Sequence, residues 1–162
     1  MIICGLDPGL YHTGYGIIEA ERNSFKLMDA GLISTCPGNA LPDRLLKLYR
    51  DLDELFTEYP RLSMVAVEEL YSHYRHPRTA VLMGHARGVI LLAACAHNIE
   101  IKSLPATMVK KAIAGTGHAG KTQIQRAIFS RLAIRPDPGI PVDVTDALAL
   151  AICGFEHSSG RT

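Results

Sequence analysis

The sequence predicts an α/β domain with a mixed central sheet, a three-stranded antiparallel meander joined to parallel strands and flanked by helices. Three strand-like runs open the chain with only turn-length connections between them. A helical period then alternates with two more short strand-like runs, and the last third is helical, punctuated by glycine and proline.

Residues 1–7 form an apolar run ending at Asp7, and PGL then turns the chain into TGYGIIEA (13–20). FKLMDAGLIS (25–34) is the third run, and such short connections favour an antiparallel meander. In LPDRLLKLYRDLDELFTEY the apolar residues fall at 41, 45, 48, 52, 55 and 59, a helical period. SMVAVEEL (63–70) is short and β-branched, a strand that ends in two acids. Pro77 opens a long helix to about residue 97. Glu100–Leu104 follows as a strand, Ala106–Ala114 as a short helix, and a helix starts at Lys121 after a glycine-rich turn. RPDPGIP (135–141) is a loop before a last helix from Asp143 to Phe155. These elements make one domain over 1–158, with a short tail at 159–162.

A chain of 162 residues with 48% hydrophobic content can bury a single core, and without Trp that core is mostly Leu, Ile, Val and Ala. Cys4, Cys36, Cys95 and Cys153 form no C-x-x-C pair, which points to a reducing cytoplasm rather than a zinc site or disulfide framework. The opening MIICGLD meets a charge at position 7, too early for a signal peptide. The apolar stretch 77–98 is interrupted by His85, Arg87 and His97, so no membrane span and no membrane partner are expected.

A net charge of +1 conceals an uneven distribution. Residues 1–100 hold nine Lys/Arg against twelve Asp/Glu, and residues 137–162 hold four acids and one Arg. Between them, 101–136 carries seven basic residues (Lys102, Lys110, Lys111, Lys121, Arg126, Arg131, Arg135) and no acid. Such a stretch suits either a phosphate-binding surface or a solvated helical face.

The acids carry the chemistry. Asp7 sits at the end of a buried strand, where a carboxylate is costly unless it meets a cation or turn amides. Glu68 and Glu69 end a second strand, and alternation allows at most one of them to share a site with Asp7. Asp143 and Asp146 are neighbours on one helical face; they also fit a helix start as cap and N3 acid. Acids converging from two strand ends and one helix start would raise one another's pKa values, a penalty that magnesium or manganese removes.

GTGHAGKT (115–122) matches the Walker A pattern, but such a loop must follow a buried strand, whereas MVKKAIA looks helical. A helix start beside Lys110, Lys111 and Lys121 suits a DNA phosphate instead. The loop YSHYRHPR (71–78) places Tyr71, Arg75 and Arg78 directly after the Glu68 strand, where they suit either unpaired DNA bases and phosphates or an ordinary surface. Ala80, Gly84 and Gly88 form a small-residue row that permits a close helix contact, with this domain's own sheet or with a second subunit.

Together these motifs resemble the RuvC family of Holliday-junction resolvases nearly end to end. GLDPGLYHTGYGII resembles its first motif, VAVEELY its second and DVTDALALAI its last, while HARGV and the VK…G-x-G…K segment also match. The resemblance implies a ribonuclease-H-like fold and a catalytic, metal-binding set of Asp7, Glu68 (rather than Glu69), Asp143 and Asp146. It also implies phosphate contacts at Lys110 and Lys121, and two magnesium ions per site, with manganese able to substitute. The expected protein is a homodimer that nicks opposed strands of a four-way junction symmetrically, alongside a branch-migration helicase complex. Tyr71 stands where the family commonly has a phenylalanine, and position 143 is His in some relatives. The competing readings are an actin-like or sugar-kinase-type ATPase, for which the chain is too short, and a non-cutting nucleic-acid-binding module of the same fold.

Overall fold

The computed structural model describes residues 1–22, 24–70, 77–137, 139–158 and 160, the side chains of Pro77 and Arg78 excepted. The elements are β1 (Ile2–Asp7), β2 (His12–Glu21), β3 (Ser24–Ser34), α1 (Leu41–Glu58), β4 (Leu62–Glu68), α2 (Pro77–Ala96), β5 (Glu100–Leu104), α3 (Ala106–Ala114), α4 (Lys121–Arg131) and α5 (Val142–Ser158). They form a five-stranded sheet of order β3-β2-β1-β4-β5. β1 pairs antiparallel with β2, and β2 with β3, while β4 runs parallel to both β1 and β5. This is the meander with parallel strands that the sequence predicts.

Strand alternation divides the core in two. Ile3, Ile18, Met64 and Ala66 pack with α3, α4 and α5 on one face, while Cys4, Leu6, Ile17, Val65 and Val67 pack with α1 and α2 on the other. The same parity assigns the strand-end acids. Ile3, Gly5 and Asp7 share the α5 side, as do Met64, Ala66 and Glu68.

α5 lies on the sheet almost backbone to backbone. A Cβ on Gly5 would fall 1.8 Å from the Ala147 carbonyl oxygen, and one on Gly14 would fall 2.0 Å from that of Asp143. Only glycine fits there, and this closeness brings the start of α5 over the end of β1.

α2 corrects one expectation. His85 and Arg87 do not disqualify it: Thr79–Ala96, with a mean hydropathy of 1.6, is long and apolar enough to cross a membrane by length and composition, yet only 22% of it is buried. Ala86, Ile90, Ala93 and Ala94 face the sheet, whereas Val81 and Leu92 are 58% and 61% exposed. The small-residue row turns away from the core. Ala80 and Gly84 are half-buried, a Cβ on Gly84 would make ordinary contact with Leu70 Cδ1 at 3.7 Å, and one on the exposed Gly88 would meet nothing within 4 Å.

Candidate active site

Asp7 ends β1 and Glu68 ends β4, each one residue beyond the paired Leu6 and Val67 of adjacent parallel strands. Asp143 lies in the first turn of α5, and Asp146 follows one turn later on the same face. Since α5 begins at Val142, neither acid is the residue that caps it. The loop after Asp7 is clamped from behind. Thr13 Oγ1 donates to the Gly9 carbonyl at 2.7 Å, and the buried Arg44 donates to the Leu10 carbonyl and to Thr35 Oγ1, both at 3.1 Å.

The four acids are electrostatically coupled. Burial, followed by the charges of Asp146, Glu68 and Asp143, pushes Asp7 up to about 7, with Lys121 opposing. Burial and Asp146 raise Glu68, with Lys110 opposing. Asp146 is raised by burial and by Asp143, and lowered by Lys121 and Lys110. A cleft of about 210 Å³ is lined by Glu68, Asp146, Lys110 and Lys121 together with apolar side chains that include Val109 and Ile124; Asp7 and Asp143 are not among its lining residues. Lys121 is the first residue of α4, whose preceding Gly120 provides no side-chain cap, so the helix start presents backbone N–H groups beside the lysine.

Oxygen donors held at this mutual cost suit hard divalent cations. Among the described residues, no three His, Cys, Asp or Glu side chains are gathered tightly enough to hold one ion unaided.

Other expected residues fall elsewhere. Lys111, one position on from Lys110, lines a different groove with Thr107, Met108, His118 and Arg131. Tyr71 and Arg75 lie outside the described residues, as does the side chain of Arg78, whose backbone belongs to α2. Glu69 lies past the strand end, and its N–H donates to the Leu104 carbonyl at 3.0 Å. The GTGHAGKT segment follows helix α3 rather than a strand, with Gly115 as a left-handed C-cap, so it lacks the setting of a nucleotide-binding loop. Sequence reading missed Arg44 and the glycine contacts with α5. Arg44 had a signal, a lone cation beside the apolar stripe of α1.

The family model for crossover junction endodeoxyribonuclease RuvC matches residues 3–154. Curated relatives of that description include one from Alkaliphilus oremlandii, 48% identical over 94% of this chain and 92% of its own length. Another, from Rhodopirellula baltica, is 43% identical over 94% of this chain and 84% of its own length. The solved structure of T. thermophilus RuvC in complex with Holliday junction substrate superposes with a TM-score of 0.91 at 29% identity, covering 99% of this chain and 97% of that one. The fold, the matched span and these identities agree: the chain belongs to the RuvC family of crossover junction endodeoxyribonucleases.

Proposed function

We propose that this junction endonuclease cuts with Asp7, Glu68, Asp143 and Asp146 as the acids of a two-metal site, and nicks opposed strands of a Holliday junction symmetrically as a homodimer. The observation that supports the reading is the placement of the acids at the ends of β1 and β4 and the start of α5, with Asp7 half-buried and coupled to the other three, beside Lys110 and Lys121. When bound, divalent cations, magnesium or manganese, supply an activated water and neutralise charge on the departing oxygen. Asp7 and Glu68 present oxygen donors from rigid strand ends, and Asp143 and Asp146 present theirs from α5. Lys110 and Lys121 hold the phosphate at the mouth of the cleft, aided by the exposed N–H groups at the start of α4.

Two opposed cuts on a two-fold junction call for two sites related by a two-fold axis, and an isologous dimer supplies them. The exposed stripe of α2, with Val81, Gly88 and Leu92, supports a second copy as its cover. The four free cysteines suit a reducing cytoplasm, where a branch-migration helicase complex would meet the same junction.

The test is a synthetic four-way junction with magnesium, with the cuts mapped. Glu68→Gln should lose cutting by orders of magnitude yet still bind, whereas Glu69→Gln should cut almost normally. The reverse pattern would overturn the assignment of the acids.

A further inference from the structure

β4 ends where both neighbouring strands run into proline. β1 continues into Pro8 and β5 into Pro105, and proline has no N–H to offer. At this end of the sheet the Glu68 carbonyl accepts a hydrogen bond from Arg87 Nε at 3.1 Å. The same guanidinium donates from Nη2 to Ser103 Oγ on β5 at 2.7 Å. Arg87 therefore reaches out of α2 and bridges the ends of two parallel strands, one of which carries a site acid. On Glu68 it holds the backbone carbonyl and on β5 the Ser103 hydroxyl; the cation opposing the raised pKa of the Glu68 carboxyl is Lys110. The residues around Arg87 on α2 are fastened to the sheet through Ala86 and Ile90, both fully buried, so its head starts from a fixed base.

We propose that Arg87 is a positioning residue for the cutting reaction: it locks the Glu68 carbonyl to the end of β5, and so sets the direction in which the Glu68 carboxylate enters the acidic cleft. The proposal rests on the reading of Glu68 as a site acid. It also gives α2 a route to the chemistry, because the helix with the exposed apolar stripe is the one that holds this carbonyl.

The experiment compares Arg87→Ala, Arg87→Lys, Ser103→Ala and Glu68→Gln at a temperature where circular dichroism shows each to be folded. Four quantities are read: junction affinity without metal, single-turnover cutting rate, the manganese concentration for half-maximal cutting, and calorimetric binding of manganese to the DNA-free protein. Arg87→Ala should lower the cutting rate and weaken manganese binding by about 10- to 100-fold, the range for groups that orient metal ligands. Its metal-free junction affinity should stay within about threefold of wild type, because no phosphate contact is lost. Arg87→Lys keeps a donor and should recover part of the loss, and Ser103→Ala should shift the manganese midpoint in the same direction by less. An Arg87→Ala protein that melts earlier but keeps the wild-type rate and midpoint overturns the proposal and leaves Arg87 a structural clip. If Arg87→Ala does not fold, a wild-type midpoint in both Arg87→Lys and Ser103→Ala has the same force. Glu68→Gln separates the two layers: normal cutting by that variant sinks the site assignment and this proposal with it, whereas its failure beside an unaffected Arg87→Ala sinks only the role of Arg87.

Discussion

Asp7→Asn should abolish cutting and at the same time make the metal-free protein more stable at alkaline pH. Burial and three neighbouring carboxylates raise the Asp7 pKa from 3.8 to about 7. Between those values the native state holds a proton that the unfolded chain has released. Stability therefore falls as pH rises through this window, and the full penalty persists above it. A shift of about three units at about 1.4 kcal/mol each sets an upper figure of ~4 kcal/mol. Asparagine keeps the shape and carries no charge, so it escapes that penalty. Urea unfolding in chelator at pH 8 should show Asp7→Asn more stable than wild type by ~2–4 kcal/mol, and the two should converge near pH 4. Manganese at pH 8 should then stabilise wild type far more than the variant, because only the intact acid set binds it well. Superimposable curves at pH 8 in chelator, or a gap that does not change with pH, would refute the electrostatic account of the cluster.

Gly14→Ala should push α5 off the sheet, since its Cβ would sit 2.0 Å from the Asp143 carbonyl oxygen. We expect a loss of ~1–3 kcal/mol in chemical denaturation and cutting reduced about 10²-fold by displaced acids, and full activity would contradict the contact. Lys110→Ala and Lys121→Ala should each flatten the salt dependence of junction binding by a slope of about one, whereas Lys111→Ala, in the separate groove, should leave the cutting rate unchanged. Adding ATP should alter none of these measurements. Leu92→Glu places a charge on a side chain 61% exposed, so monomer stability should change by no more than about 0.5 kcal/mol while sedimentation shows dissociation and paired nicking is lost. A dimer that survives this change uses another face.

Much of the fold was legible because local patterns and tertiary demands agree. The three opening strands, the helical period of α1 and the start of α4 at Lys121 all match the reading within a residue or two. Asp7 and Glu68 stood out as candidates because each closes an apolar run; strand parity allowed only one of Glu68 and Glu69 beside Asp7, and the family resemblance chose Glu68. Less legible was whatever depends on approach in space. Gly14 sits inside a strand-like run and signals nothing about a helix arriving from residue 143. Arg87 looks like an interruption of an apolar helix until the carbonyl it reaches is known. Lys110 and Lys111 look equivalent in a basic stretch, but a helix turns about 100° per residue and sends them to different grooves. Because α2 is apolar on almost every side, its sequence could not say whether the glycine row faced the sheet or a partner.

Synthesis runs from the N-terminal to the C-terminal side, so the whole meander and β4 emerge long before α5. Until α5 settles on Gly5 and Gly14, Asp7 and Glu68 face no third or fourth acid, and half of one core is missing its largest contributor. A chain arrested just before residue 143 has all five strands but only two of the four proposed acids. On the proposed assignment, completion of the acid set therefore waits on the last helix to be made.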